Sequence, residues 1–246
     1  MIMRNQDWFP PASMFPDWYP ASVKPILLSM HSALRDNTPE YWQAESLHLE
    51  RQFDRTIARI AQDESCKHFS VFALAPQPLL IKLGTLFTDK LDVETYQLHR
   101  EPKGWRWNSA QTEFNFLINE PENKDGVPVL LLSLSDRVDN QRIKAVLGEQ
   151  VSIWEITHDT PHNDFLQSKF QLMLFRQLIR KLMVEIKHHH GNTAPLHIFP
   201  VMPISCCIEM GRSRMPKADM DWIIYDHIPS KQLFIKSLVI SGGHHA

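Results

Sequence analysis

The sequence predicts an α/β protein built as two pseudo-symmetric lobes with mainly parallel sheets, bridged by a long helix. Three observations carry that expectation. Short apolar runs alternate with helical patterns, the mark of strands laid parallel by helical crossovers. One run, Val129–Ser133, is apolar enough for a strand covered on both faces. One unit also occurs twice: His68–Gly84 and Leu196–Gly211 each read as a strand, a proline-marked turn and an amphipathic helix carrying a glycine. The copies match at Phe72/Phe199, Pro76/Pro203, Ile81/Ile208, Gly84/Gly211, Lys90/Lys217 and Asp92/Asp219, every pair at the same separation. Such a gapless register points to one module used twice, a pseudo-dimer rather than a solenoid.

The elements follow in order. Residues 1–25 set Pro10, Pro11, Pro16, Pro20 and Pro25 among Trp8, Phe9, Phe15, Trp18 and Tyr19. Proline at that density blocks helices and sheet ladders, so an irregular segment packed on the body is expected, with docking to a partner as the functional alternative. Pro25–Leu34 is expected to be a short helix. Thr38 caps a longer one with Pro39 at its first position, and Leu47, Leu49, Phe53, Ile57 and Ile60 give it an apolar face.

The first unit then supplies a strand (Phe69–Ala75), a helix (Gln77–Phe87) and a strand (Asp92–Leu98), followed by a polar loop with two tryptophans. Strands at Glu113–Ile118, Val129–Ser133 and Val151–Ile156 surround a helix at Asn140–Leu147 that stops at Gly148. A long helix runs from Asn163 to about Lys187, spanning roughly 37 Å. His188–His190 end it as a solvated terminus rather than a metal cage, since adjacent histidines point in different directions. The second unit gives Leu196–Phe199, a helix Ile204–Arg212, Asp219–Tyr225 and a last strand Leu233–Ile240, with a frayed tail. The expected division is an N-terminal segment 1–46, lobe one about 47–162, the bridging helix 163–187 and lobe two about 195–240.

Composition excludes several functions. A formal net charge of −2 leaves no general basic face for long DNA or RNA. It leaves room for a small anion, which a few backbone N–H groups and one or two cations can hold. Cys66, Cys206 and Cys207 lack C-x-x-C spacing and read as reduced, buried thiols. Without an apolar run of membrane-spanning length or a secretion signal, the expectation is a soluble cytoplasmic protein.

In open parallel sheets, ligands sit outside the carboxyl ends of the strands, where helices begin. That rule selects Pro76-Gln77-Pro78, Pro203-Ile204-Ser205, His99-Arg100, Tyr225-Asp226, Ser133-Leu134-Ser135 and Thr157-His158. Helix starts suit phosphates, Arg100 and Arg137 are the nearest cations, and Trp105 and Trp107 could stack on bases. Ser133, Ser135 and Ser205 suit ribose or phosphate oxygens. The plainer readings are that the prolines mark turns, the serines cap helices and one tryptophan is core. Gly84 and Gly211 fit close helix–sheet packing better than phosphate contact. No nucleophile elbow, P-loop, zincin motif or acid pair is present. No metal or cofactor is expected, and His99, His158 and His162 are the loop histidines open to a general-base role.

SLSDRVDNQRIKAVLGEQVSIWEIT, SKFQLMLFRQLIRKLMVEI, LHIFPVMPISCCIEMGR and WIIYDHI together resemble a SAVED domain, and FALAPQPLLIKLGTLFTDKLDVETYQLHREPKGWRWN resembles its first half. The likeness covers about 47–240. It implies two fused CARF-like (Rossmann-like) lobes that sense a cyclic oligonucleotide in bacterial anti-phage defence, CBASS or type III CRISPR. The implied cleft uses Pro76, Gln77, Pro78, Arg100, Trp105 and Trp107 from one lobe and Pro203, Ser205 and Tyr225 from the other, with Ser133–Arg137 as its floor. The implied ligand is a cyclic tri- or tetranucleotide. Because residues 1–46 carry no catalytic motif, the expectation is either a separate effector protein or a sequence that is only the sensor fragment of a longer one, with activation through lobe movement or head-to-tail assembly. The alternatives are a ring-nuclease-like enzyme acting on the same ligand through His99 or His158, and an interaction scaffold without a small ligand.

Overall fold

A computed structural model describes residues 2–3, 25–30, 34, 38–62, 66, 68–87, 91–108 and 113–242. The proline–aromatic stretch, Lys90 and the last four residues of the tail lie outside them. Strand β1 (Ile2–Met3) lies between β2 (Leu28–Ser29) and β4 (Ala73–Leu74), parallel to both. The helix expected over Pro25–Leu34 is therefore not formed at Leu28–Ser29. The Gln52 side-chain amide accepts from Ser29 N (2.9 Å) and donates to Ser29 O (2.8 Å), supplying the bonds a neighbouring strand would make. Tertiary partners override a weak local preference here.

Helix α1 (Pro39–Phe53) starts as expected, with Thr38 Oγ1 accepting from Tyr41 N at 3.2 Å. It passes through a π-helical turn at Asp54–Ala58 into α2 (Arg59–Gln62). Tyr41, Trp42, Leu49, Phe53 and Ile57 are buried, but Leu47, two residues from the Leu49 row, is 44% exposed. Strand β3 (His68–Val71) is parallel to β5 (Asp92–Thr95), and α3 (Gln77–Leu86) lies between them in sequence. The stretch expected as a polar loop contains a hairpin, β6 (His99–Arg100) with β7 (Lys103–Gly104).

The remaining strands form one six-stranded sheet. They are β8 (Leu117–Asn119), β9 (Val127–Ser133), β10 (Val151–Thr157), β11 (Leu196–Val201), β12 (Trp222–Ile228) and β13 (Leu233–Ile240), in the order β13-β12-β11-β9-β10-β8. The four inner strands are parallel and the two outer ones antiparallel to their neighbours. β9 sits in the middle and its core-facing residues are fully buried. Sheet continuity thus crosses the division expected near residue 162, because β9, assigned there to lobe one, hydrogen-bonds directly to β11. Contiguity in sequence groups 117–157 with β3 and β5, whereas hydrogen bonding joins those residues to β11 and β12.

Helix α4 (Asn140–Leu147) packs Ile143 against Val129, Leu131, Phe199, Val201, Tyr225 and Phe234 on one sheet face. On the other face, Leu130, Leu132, Trp154, Ile198, Trp222 and Ile224 share a core with α5 (Lys169–His190) and α6 (Ile204–Ser213). α5 begins six residues later than Asn163, at a capping box. Ser168 Oγ accepts from Gln171 N (3.2 Å) while Gln171 Oε1 accepts from Ser168 N (3.0 Å). At its far end His190 Nε2 accepts from Trp154 Nε1 at 3.1 Å, so that terminus folds back on the sheet instead of being wholly solvated.

The glycines of the repeated unit meet each other rather than a sheet. A Cβ on Gly84 would lie 2.1 Å from Ile208 O, and one on Gly211 would lie 2.1 Å from Ile81 O. Each glycine therefore faces the carbonyl three residues before its counterpart. α3 and α6 touch backbone to backbone. The repeat holds at Pro76/Pro203, Ile81/Ile208 and Gly84/Gly211 but lapses at Asp92/Asp219. Asp92 bonds His68 from within β5 (2.9 Å), whereas Asp219 accepts from Met215 N in a turn (2.6 Å).

Either Gly84→Ala or Gly211→Ala is expected to cost about 2 kcal/mol or more, because the obstructing atoms are backbone. The double variant should cost less than the sum, since the first methyl already separates the helices. Urea titrations of the four proteins measure both quantities, and strict additivity would contradict the contact.

Candidate ligand crevice

The chain leaves β9 for β10 on one side, returns through α5 to β11 on the other, and continues to β12. The order reverses between β9 and β11, a switch point of the kind beside which open α/β sheets hold their ligands at the carboxyl edge. The floor of this candidate crevice is closely tied. Leu134 N and Ser135 N both donate to Val201 O (2.9 and 2.8 Å), and Thr157 Oγ1 donates to Ser133 O (2.9 Å). His158 Nε2 lies 3.0 Å from Leu134 O. Arg137 is exposed and donates from Nη2 to Asp159 O at 2.7 Å. Ser133, Leu134 and Ser135 are buried, and Ser133 Oγ has no hydrogen-bond partner among the described residues.

Both α3 and α6 start on a proline in the same extended conformation, Pro76 (φ −55°, ψ 140°) and Pro203 (φ −59°, ψ 151°). The two starts adjoin, for Met202 N donates to Gln77 Oε1 at 3.4 Å. They differ in access. Pro76, Gln77 and Ile204 are half-buried, while Pro78, Pro203 and Ser205 are buried. The donors expected to hold a ligand at Ser205 are engaged, since its N and Oγ both donate to Gln97 Oε1 (3.3 and 2.9 Å).

Residues 49–240 match the family described as SMODS-associated and fused to various effectors sensor domain, SAVED. The chain belongs to the SAVED family. Its fold is similar to structures of an Acinetobacter baumannii Cap4 SAVED/CARF-domain containing receptor. That receptor with the cyclic trinucleotide 2'3'3'-cAAA aligns at TM-score 0.58 and 11% identity, over 84% of this chain and 45% of the receptor. With 3'3'3'-cAAA the values are 0.59, 14%, 82% and 46%. A third structure of the receptor gives 0.57, 12%, 82% and 44%. The chain thus spans less than half the length of the receptor structures it matches. No curated protein sequence matches it.

Several residues singled out from sequence take other places in this SAVED domain. Trp105 is fully buried, edge-on to Phe72 at 5.3 Å, and Phe72 stacks on Tyr96. Trp107 is buried edge-on to His99 at 5.5 Å. Neither presents a face for a base in this conformation, because the β6–β7 hairpin turns both inward. His99 is 3% exposed, with Nδ1 3.9 Å from Asp164 Oδ1. Burial pushes its pKa down against the opposing pull of that carboxylate. Asp164 also accepts from the backbone N–H groups of Arg100 (3.3 Å) and Glu101 (3.4 Å), which leaves the Arg100 side chain exposed. Tyr225, expected at a strand end, instead lies within its strand on the α4 face, because β12 runs on to Ile228. It stacks on Phe199 at 4.2 Å, with its hydroxyl 2.9 Å from His197 Nδ1.

The largest feature missed from sequence is a polar seam along α6. Glu209 is fully buried. Thr95 Oγ1 and Arg212 Nη1 donate to its Oε1 (2.9 and 3.0 Å), and Arg176 Nε lies 2.7 Å from its Oε2. Arg212 also donates to Val93 O (3.1 Å) and Leu91 O (3.4 Å). Residues 91, 93, 95 and 97, alternate positions along β5 and its flanks, therefore all bond α6. An acid inside ISCCIEMG with arginine three residues later was the only written hint.

Among the described residues, no three His, Cys, Asp or Glu side chains converge as metal ligands would, and no helix is long and apolar enough to cross a membrane. Burial raises the pKa of both Cys206 and Cys207, keeping them thiols.

Burial also lowers the pKa of His99, His158, His190, His197 and His227 from 6.5. Well above pH 6.5 these imidazoles are neutral in folded and unfolded chains alike. Below it the unfolded chain takes up protons that the folded one resists, so stability is lost as the pH falls. Melting temperature should therefore drop between pH 7.5 and 5.5. A flat or rising profile would show that the rings titrate as if exposed.

Proposed function

We propose that this SAVED domain senses a cyclic oligonucleotide, a cyclic tri- or tetranucleotide, and that the bound state activates an effector protein in anti-phage defence. The observation that carries the reading is the Gly84–Gly211 crossing. It sets the two proline-started helices side by side at the carboxyl edge of the sheet, as two Rossmann-like, CARF-like lobes in pseudo-twofold relation would. Similar receptor structures hold cyclic trinucleotides, which supports the same ligand class for this chain. The accessible wall consists of Pro76, Gln77 and Ile204, with Ser133–Arg137 below and Arg100 and Arg137 as exposed cations. Helix starts and guanidinium groups meet the phosphates. Base stacking on Trp105 or Trp107 requires the β6–β7 hairpin to open.

Activation follows by population shift: the ligand favours whichever arrangement of the halves it binds more tightly. Different faces on the two halves permit head-to-tail assembly with a second copy.

Calorimetry against cyclic di-, tri- and tetranucleotides tests the reading directly. Saturable binding of a cyclic tri- or tetranucleotide is expected, with Arg100→Ala weakening it about tenfold, the loss of roughly one charged hydrogen bond, at unchanged melting temperature. No binding across the set would overturn it. Appearance of linear products would favour the ring-nuclease alternative.

A further inference from the structure

On the α4 face of the sheet, away from the α3–α6 crossing, a guanidinium and an imidazole converge on one ring. Arg142 places its guanidinium 4.9 Å from the centroid of Phe234, and His227 lies tilted against the same ring at 5.1 Å. They are close enough that the guanidinium helps to hold the imidazole neutral. Neither is fully satisfied. Arg142 Nε donates to Gln232 O (2.9 Å), but its Nη2 and the Nε2 of His227 are buried with no hydrogen-bond partner among the described residues. Arg142 makes no ion pair with a described carboxylate. Asp136, from the loop before α4, is the carboxylate whose field reaches His227, while Asp139 is occupied as the α4 cap by Gln141 N (2.8 Å).

A buried donor left without a partner costs about 1–3 kcal/mol, so each such atom calls for a missing partner. Here Arg142 Nη2, permanently cationic, and His227 Nε2, a donor in the Nε2–H tautomer, belong to side chains packed on the same aromatic ring. The partner that satisfies both is an acceptor carrying negative charge and more than one oxygen. The first turn of α4, from which Arg142 projects, adds partial positive charge at the same place.

We propose that Arg142 and His227 form an oxyanion site on the α4 face, taking a phosphate group as a hydrogen-bond acceptor between Nη2 and Nε2. The site does not depend on the crevice between the helix starts and would stand if no cyclic oligonucleotide bound there. It opens by rotation of the half-buried Arg142 side chain. The phosphate belongs either to the free anion or to a nucleotide.

Melting temperature is measured in inorganic phosphate and in AMP, against sodium chloride at matched ionic strength. Wild type should gain about 3–5 °C at ten times the Kd, and Arg142→Met should lose that gain while melting normally in chloride. Should Arg142→Met fail to fold, His227→Gln serves, with the Kd for phosphate expected to rise at least threefold. The imidazole signals of His227, identified by their absence in His227→Gln, should move with phosphate in wild type. Saturation by AMP at lower concentration than by phosphate identifies a nucleotide phosphate, and the reverse identifies the free anion; either supports the site. An equal response in wild type and Arg142→Met, or unmoved His227 signals, overturns it.

Discussion

Two glycines in backbone contact set the distance at which everything else in this chain closes. Where Gly84 meets Gly211, no side chain separates α3 from α6, and each glycine lies against the carbonyl of Ile208 or Ile81. Only at that approach can Gln97 reach Ser205, Gln77 reach Met202 and Thr95 reach Glu209. Hydrogen bonds fall off steeply with distance. A methyl group of extra separation would stretch all three sets together.

The seam along α6 adds direction to that closeness. A buried carboxylate is costly unless it is paired and hydrogen-bonded. Glu209 meets the condition by drawing on α5 through Arg176, on its own helix through Arg212 and on β5 through Thr95. Apolar packing alone tolerates sliding, whereas these bonds are satisfied at one register of strand against helix. The seam also fills the start of α6 with the Gln97 amide, so the two helix starts are alike in backbone and unlike in access. Gln77 lies toward solvent and Ser205 is sealed.

Where the aromatic residues went follows from area. Trp105, Trp107 and Tyr225 each carry a large apolar surface, and burial of such rings outweighs display to water unless a ligand is present. The hairpin at β6–β7 turns the tryptophans inward, and the length of β12 carries Tyr225 into the stack with Phe199. The side chains left at the carboxyl edge are those with charge or a polar tip, Arg100, Arg137 and Gln77.

Much of the fold was legible along the chain because its causes are local. The stop of α4 at Gly148, the run of β13 and the Thr38 cap follow from periodicity and turn chemistry within a few residues. The repeated prolines and glycines showed that two like helices exist. The capping box Ser168–Gln171 was equally local, and it alone set where α5 begins. What the sequence by itself determined is thus the kind and order of the longer elements, the duplicated unit and the membership of the family, but not the short strands β2, β6 and β7. Only the tertiary structure decided that β9 joins β11 in one sheet, that the glycines face each other, and that Gln97 rather than solvent meets Ser205. Those contacts join residues far apart in the chain, and their energies depend on distances that no local pattern records.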